Sequence, residues 1–362
     1  MFKTKERFLG VDISPSSVKV MEIIRKGKRL QVEACAIESL PEGIFEDHKP
    51  NDVEQVAMAL KQAVKSSGTR LRKAAVAMPT AGVIMRTVAM PNEYDETAIE
   101  DALEVDAAQY IPFPIDDIYM DFEPRGASRT GRDFRDVMIV AARRELVDLR
   151  RDVLQEAGLK CIIADVETYA LENTFRLLSS DLYFAGEELT DEHMSRLNTI
   201  RTAVVDVGAY ATSLYVLHGE RAVFSRDQAI GCSTLTQAIA DTYDMTRDQA
   251  LLAQRSSDLP ADYEPTVLEP FRHSVAEQVS GALQFYYSSG NYNSIDSIVL
   301  VGGGGMIEGL ERTLSGYIGV PSIIGNPFNN FTTAKRVNRH GLMRDAPLYA
   351  TACGLAIRSL DQ

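Results

Sequence analysis

Hydrophobic positions along this chain fall into short apolar runs and longer stripes at helical spacing, separated by polar turns. The runs 8–12 and 18–24 read as two strands around a short Ser/Pro loop, as in a hairpin. Over 52–66, Val53, Val56, Leu60 and Val64 recur at the spacing that puts them on one helix face. The run 74–77 is a short strand stopped by Pro79. Strands and helices alternate from there on, which predicts an α/β architecture with layered sheets.

The segment 91–125 differs in character. An acidic helix carries Ile99, Ala102, Leu103, Asp106 and Tyr110 on one face and stops at Ile111-Pro112-Phe113-Pro114, because proline cannot continue a helix. Positions 118–122 then alternate as a strand does, and 134–141 is a second strand. The stretch 145–157 is a helix with Leu146, Leu149, Val153 and Leu154 inward and Gly158 as its C-terminal cap. A helix, two strands and a helix make an inserted unit at 86–159. The polar stretch 179–200 and the Ser/Asp/Pro-rich stretch 255–265 read as connectors.

Composition narrows the function classes. At 362 residues, 45% hydrophobic and 25% charged, the chain is a folded protein of two domains or two lobes. With 38 Lys and Arg against 51 Asp and Glu, its net charge is −13, so nucleic-acid phosphates repel it in the absence of a basic patch. Short pairs such as Arg143-Arg144 and Arg150-Arg151 do not make one. Cys35, Cys161, Cys232 and Cys353 form no CxxC pair and, with five scattered histidines, no zinc spacing. They read as small core residues of a reduced compartment. The basic start, Met1-Phe2-Lys3-Thr4-Lys5-Glu6-Arg7, leads into a strand rather than a signal core, and no apolar stretch nears the ~20 residues of a membrane helix.

The most informative feature is an internal repeat. Leu9-Gly10-Val11-Asp12-Ile13-Ser14-Pro15-Ser16-Ser17-Val18-Lys19 resembles Val204-Val205-Asp206-Val207-Gly208-Ala209-Tyr210-Ala211-Thr212-Ser213-Leu214. Each is an apolar strand with Asp near its end, a turn of small residues, Ser or Thr, and a returning strand. Such a turn leaves backbone N–H groups free to converge on phosphate oxygens, hydroxyls add donors, and Lys19 adds charge. An Asp beside phosphate requires Mg²⁺ between the two. One copy is ordinary hairpin chemistry; two copies, each opening one half of the chain, point to a nucleotide clamped between two lobes. Later, the strand Ser297-Ile298-Val299-Leu300-Val301 runs into Gly302-Gly303-Gly304-Gly305 and a helix, so backbone can approach a ligand closely there. This is not GxGxxG, and no GxxxxGK[ST] occurs, which excludes the dinucleotide and P-loop classes.

In that order and spacing, Asp12, Asp206 and the glycine run resemble the phosphate-1, phosphate-2 and adenosine motifs of the actin/chaperone-ATPase/sugar-kinase superfamily. Asp165-Val166-Glu167-Thr168-Tyr169-Ala170 is similar to its first connecting motif, and Ala350-Thr351-Ala352-Cys353-Gly354-Leu355-Ala356 to its second. Within the superfamily the chain most resembles the PilM family of type IV pilus assembly. Carrying that likeness are Gln109-Tyr110-Ile111-Pro112-Phe113-Pro114, Glu156-Ala157-Gly158-Leu159-Lys160, Gly319-Val320-Pro321, Asn326-Pro327-Phe328 and Asp345-Ala346-Pro347.

The resemblance implies an actin-like (ribonuclease H-like), two-lobed α/β ATPase fold with an inserted subdomain 1C of the kind found in the division protein FtsA. Subdomain 1A would span 1–85 and 160–195, 1C 86–159, domain 2 (2A/2B) 196–345, and a helix returning to 1A 346–362. It implies ATP and Mg²⁺ as cofactors. Asp12 and Asp206 would position Mg²⁺ through water, Ser16, Ser17, Lys19, Gly208 and Thr212 would hold phosphates, and Gly303, Gly304 and Met306 would lie near adenosine. Glu167 either orients an attacking water or is a structural carboxylate, so the protein is at most a slow ATPase. One departure weakens the first loop: the superfamily usually has Gly two residues after the first Asp, whereas here Ser14 precedes Pro15.

The implied partner is the N-terminal cytoplasmic peptide of a PilN-type inner-membrane protein, bound between 1A and 1C over 83–122. Tyr110, Phe113 and Tyr119 there are either its apolar anchors or 1C core. The pilus motor ATPase, the platform protein and a second copy of the chain are further candidate partners. Nucleic acid and direct membrane insertion are not expected, which makes the protein cytoplasmic and peripheral to the inner membrane through its partners. Two rivals share the superfamily. A small-molecule kinase would need a base facing a small-substrate pocket, and an FtsA-like filament protein usually ends in an amphipathic membrane helix that Ser359-Leu360-Asp361-Gln362 does not supply.

Overall fold

In the computed structural model, which describes residues 7–360 apart from 28, 47, 129, 185–189, 257 and 291–293, two sheets share one plan. Strands Leu9–Ser14, Ser17–Lys26 and Arg29–Ser39 form an antiparallel meander, and Lys73–Met78 and Lys160–Val166 add in parallel beyond its first strand. The second sheet repeats this with Arg201–Val207, Thr212–His218 and Arg221–Gln228, then Ser297–Val301 and Ser322–Ile324. Numbered by appearance, both run 3-2-1-4-5, with Thr332–Thr333 as an extra edge strand on the first. The repeat seen around Asp12 and Asp206 thus extends to the layout of both halves.

The central strands are nearly all apolar because each sheet is covered on both faces. Leu9, Val11 and Ile13 pack with Val56 and Leu60 of helix Val53–Ser67 and with Val153 and Leu154 of helix Arg144–Glu156. The first of these helices starts where the Asp52 carboxylate accepts the Gln55 N–H (2.9 Å) and ends at Gly68 in the left-handed conformation. In the second sheet, Val205, Val207 and Leu214 pack under helix Glu269–Ser289 through Val275, Val279 and Leu283.

Between positions 83 and 143 the chain builds a third sheet, ordered Val83–Pro91, Phe134–Arg143, Ile118–Ala127. Helix Glu96–Tyr110 covers it through Ile99 and Leu103, with Ala107 completing the stripe and Tyr110 half-buried at its margin. Three features differ from the sequence expectation. The sheet has three strands rather than two, since Val83–Pro91 pairs along its whole length with Phe134–Arg143. Helix Arg144–Glu156 packs on the first sheet, because Leu146, Val153 and Leu154 complete that core rather than the third sheet's. Gly158 does sit left-handed behind this helix, at φ 78°. Much of the expected connector 179–200 is helical, since Glu167–Phe184 continues a stripe of Leu171, Phe175 and Leu178, and Asp191–Leu197 follows. Its residues 185–189, the basic segment 1–6 and the terminal 361–362 lie outside the described residues.

Helix Ala350–Ile357 joins the lobes, and all eight of its residues are buried. On one side a Cβ added to Gly10 would lie 2.2 Å from the Ala352 carbonyl oxygen; on the other, a Cβ on Gly354 would lie 1.7 Å from the Ala170 carbonyl oxygen. Backbone meets backbone at both contacts, and only glycine permits that. Replacing Gly354 by Ala should therefore cost about 1–3 kcal/mol or more through overpacking. Gly281→Ala, on a helix with nothing within 4 Å of the new methyl, should be neutral or gain up to ~1 kcal/mol. Thermal melting of the two variants checks this; equal effects would show that the close approach is not a constraint.

Candidate functional site: a carboxylate cleft between two hairpins

The first hairpin turns through only Pro15 and Ser16, with Ser14 paired to Ser17 and Asp12 paired to Lys19. Lys19 Nζ donates to Asp12 Oδ2 (2.8 Å) and to Ser14 Oγ (3.0 Å), and Ser14 Oγ donates to the Ser17 carbonyl (2.9 Å). Asp12, Ser17 and Lys19 are buried, whereas Ser16 is exposed at the tip. Among the described residues the only non-glycines with positive φ are His48 and Asp244, so this turn never visits the left-handed region. A two-residue turn with proline leading it needs no glycine, and the Ser14-Pro15 departure leaves the backbone unstrained.

The second hairpin pairs Asp206 with Ser213 and turns through four residues, 208–211. Gly208 N–H donates to the Ala211 carbonyl (2.9 Å), and the Cys232 and Ser233 N–H groups at the start of helix Cys232–Thr242 donate to the Gly208 (3.0 Å) and Ala209 (2.7 Å) carbonyls. Thr212 departs from expectation: it is fully buried and its hydroxyl donates to the Ile230 carbonyl (2.7 Å), bracing the turn rather than facing the cleft. Thr on a strand can face either way, and here the inner face took it.

The glycine run supports Asp206 from below. Gly302, at φ 76°, sits so close that a Cβ there would lie 2.1 Å from Asp206 Oδ1, and its N–H donates to the Pro347 carbonyl (3.0 Å). Gly304 is packed against Val207 and Cys232. Met306 lines an open cavity of about 630 Å³ with Asn326, Met343, Arg344 and Pro347, within the usual size range for a small-molecule site. Gly303 and Gly304 are not among its lining residues.

Glu167 begins helix Glu167–Phe184, and its Oε2 accepts the Thr80 N–H (3.2 Å). Thr80 Oγ1 in turn lies 2.8 Å from the Thr168 hydroxyl and 3.5 Å from the Tyr215 hydroxyl of the second lobe. The structure thus brings Asp12, Asp206 and Glu167, distant in sequence, within electrostatic reach of one another. Burial, then the negative charges of Asp12 and Asp206, push Glu167 up to about 8; Arg150 and the Thr80 N–H oppose this. Burial, then Asp12, push Asp206 up to about 6 against the pull of Lys19. Such surplus negative charge suits a divalent cation. Among the described residues no three His, Cys, Asp or Glu side chains converge tightly enough to hold a metal by themselves.

The sequence reading missed Arg150. It stands at the inward position assigned to Leu149, which is only half-buried, whereas Arg150 is 3% exposed. A charged residue one helical turn from Leu146 and Leu154 on the core face was the available signal. Thr80 and Tyr215 were missed as well, and nothing in their local sequence marks them.

A protein-family model described as type IV pilus assembly protein PilM matches residues 10–360. Among solved structures, a PilM–PilN type IV pilus biogenesis complex is similar over 99% of this chain and 100% of that one, at 25% identity and a TM-score of 0.79. The ethanolamine utilization protein EutJ of Carboxydothermus hydrogenoformans is 15% identical, covering 97% of this chain and 89% of its own, with a TM-score of 0.55. MreB5 of Spiroplasma citri, bound to ADP, is 12% identical, covering 98% and 96%, with a TM-score of 0.50. The fold is accordingly actin-like, a two-lobed α/β architecture. No helix among the described residues is long and apolar enough to cross a membrane.

The shared cleft makes a direct prediction. Asp206→Asn removes a negative neighbour, so the Glu167 carboxyl should titrate below its present midpoint of about 8. Carbon-13 NMR of Glu-labelled protein reads this, and an unmoved midpoint would mean that the two carboxylates do not sense each other.

Proposed function

The chain belongs to the type IV pilus assembly protein PilM family, and we propose that it is an ATP-binding scaffold docking a PilN-type inner-membrane protein by that partner's N-terminal cytoplasmic peptide. The observation that carries the nucleotide part is the pair of like-built hairpins presenting Asp12 and Asp206 to one cleft, with Glu167 within their reach. In this reading Asp12 and Asp206 hold Mg²⁺ through water, Ser16, Ser17, Lys19 and the Gly208 turn face phosphate, and Met306 borders adenosine. The bound Mg²⁺ supplies charge neutralisation at the phosphates.

The cleft favours binding over turnover. A carboxyl pushed up to about 8 is mostly protonated at neutral pH, so in the free cleft Glu167 is a poor proton acceptor for an attacking water. ATP then acts by fixing the angle between lobes, which requires only that it favour one angle over another. Among the described residues no observation favours the kinase reading over this one.

The partner reading is supported by the whole-chain likeness to the PilM–PilN complex and by aromatic groups at the edge of the third sheet. Phe113 and Tyr119 are each more than a third exposed, under Arg143 (5.7 Å to the ring centre) and Arg144 (4.3 Å) respectively, while Tyr110 is half-buried against that sheet's core. Docking through PilN would make the protein peripheral to the inner membrane. A synthetic N-terminal peptide of the PilN-type partner should bind the purified protein in a fluorescence anisotropy titration. Phe113→Ala and Tyr119→Ala should each weaken it by roughly tenfold or more, as loss of an interface anchor does. Binding untouched by both substitutions would move the groove elsewhere, and no binding with or without ATP would sink the pilus reading.

A further inference from the structure

A ring of contacts joins the tip of the first hairpin to the second hairpin by a route separate from the hinge. On the first lobe, the Leu40 N–H donates to the Ser16 carbonyl at the hairpin tip (2.8 Å), and loop 40–44 begins there. Leu40 and Ile44 are buried in the first lobe's core. Asn51 holds the far end of the loop, its N–H donating to the Ile44 carbonyl (2.8 Å) and its Nδ2 to the Gly43 carbonyl (3.3 Å). Pinned at both ends, the loop leaves Pro41, Glu42 and Gly43 exposed, with Glu42 at its apex and Gly43 left-handed at φ 72°. On the second lobe, helix Cys232–Thr242 starts against the second hairpin through the Gly208 carbonyl. Its Gln237 Oε1 accepts from Arg247 Nη1 (3.0 Å), at the head of helix Arg247–Ser256. Arg247 Nε in turn donates to Glu42 Oε2 (2.5 Å), 205 residues away in sequence.

That ion pair is the step of the ring that passes between lobes; every other step lies within one lobe. Helix Ala350–Ile357 meets the first hairpin at its root, against Gly10, whereas the ring starts from its tip at Ser16, so the two joints flank Asp12. Their strengths differ. The hinge is a packed, buried helix, but the Arg247 and Glu42 side chains are 34% and 43% exposed, and an exposed pair is weak and screened by salt. A strong joint at the root and a weak one at the tip let the lobes part at the tip first. Resting on the nucleotide reading of the cleft, we infer that Glu42 and Arg247 form a latch across the mouth of the cleft, which parts to let the nucleotide in and out. The pace of nucleotide exchange is then set by a pair that lies outside the binding residues themselves.

The test follows uptake and release of ATP carrying an N-methylanthraniloyl fluorophore, by stopped flow, in the wild type, Glu42→Arg, Arg247→Glu and the double exchange. All four should fold alike, since both side chains lie at the surface. Each single reversal sets like charges against each other and should speed uptake and release together by about threefold or more, the scale of an exposed pair made repulsive. The dissociation constant should move less than either rate, whereas a lost nucleotide contact would raise release and the constant in step. The double exchange restores the pair with its polarity reversed and should return both rates to near the wild-type values. Unchanged rates in both single variants, or a double exchange as fast as they are, would overturn the latch. In protein without nucleotide, Glu42→Arg should also speed hydrogen exchange in helix Arg247–Ser256 of the other lobe, and an unmoved helix would overturn the latch on its own. A wild type that takes up no nucleotide would sink the cleft reading and the gating role with it, and hydrogen exchange tells that failure from a pair that never joined the lobes.

Discussion

The cleft depends on how closely helix Ala350–Ile357 approaches its two neighbours. Gly10 lets it lie against the leading strand of the first sheet, and Gly354 lets it lie against helix Glu167–Phe184, with no side chain between. Asp12 stands two residues beyond Gly10, and Glu167 heads the helix that Gly354 touches, so this packing sets where the two carboxylates stand. The Thr174 hydroxyl, donating to the Ala350 carbonyl (2.6 Å), ties the same helices together. Ala350 also joins Val204, Tyr215 and Val299 in a core that strands of the second sheet share with Leu171, Phe175 and Leu178 of helix Glu167–Phe184. One short helix of small residues thereby fixes both sides of the cleft, and close-packed interiors transmit such constraints faithfully.

Electrostatics explains what the packing is for. Concentrating Asp12, Asp206 and Glu167 in a partly desolvated cleft is unfavourable, and the raised titration points of Asp206 and Glu167 express that cost. Lys19 offsets it at Asp12, and Arg150 offsets it at a distance. What remains is a cleft in which Glu167 and Asp206 hold their protons more tightly than free carboxyls do.

Much of this was legible in the chain because the chemistry is local. The apolar strand with Asp near its end, the turn and the returning strand can be read twice, and both hairpins formed in the expected place, with Asp12 opposite Lys19 and Asp206 opposite Ser213. The inward stripes of helices Val53–Ser67 and Glu96–Tyr110 were legible for the same reason. What could not be read was set by contacts across the fold. Thr212 could face either side of its strand until Ile230 offered a carbonyl, and the contact between Gly302 and Asp206 joins two strands of the second sheet. Val83–Pro91 escaped notice because its partner strand lies some forty to sixty residues on. Arg150 was visible but read only as half of the short pair Arg150-Arg151, although it broke the apolar face of its helix.

The most direct test of the central claim is a calorimetric titration of the purified protein with MgATP, run beside Asp206→Ala. Two facing hairpins require single-site binding in the wild type that the substitution abolishes. Binding of equal strength in both proteins, or none in the wild type, would contradict the account.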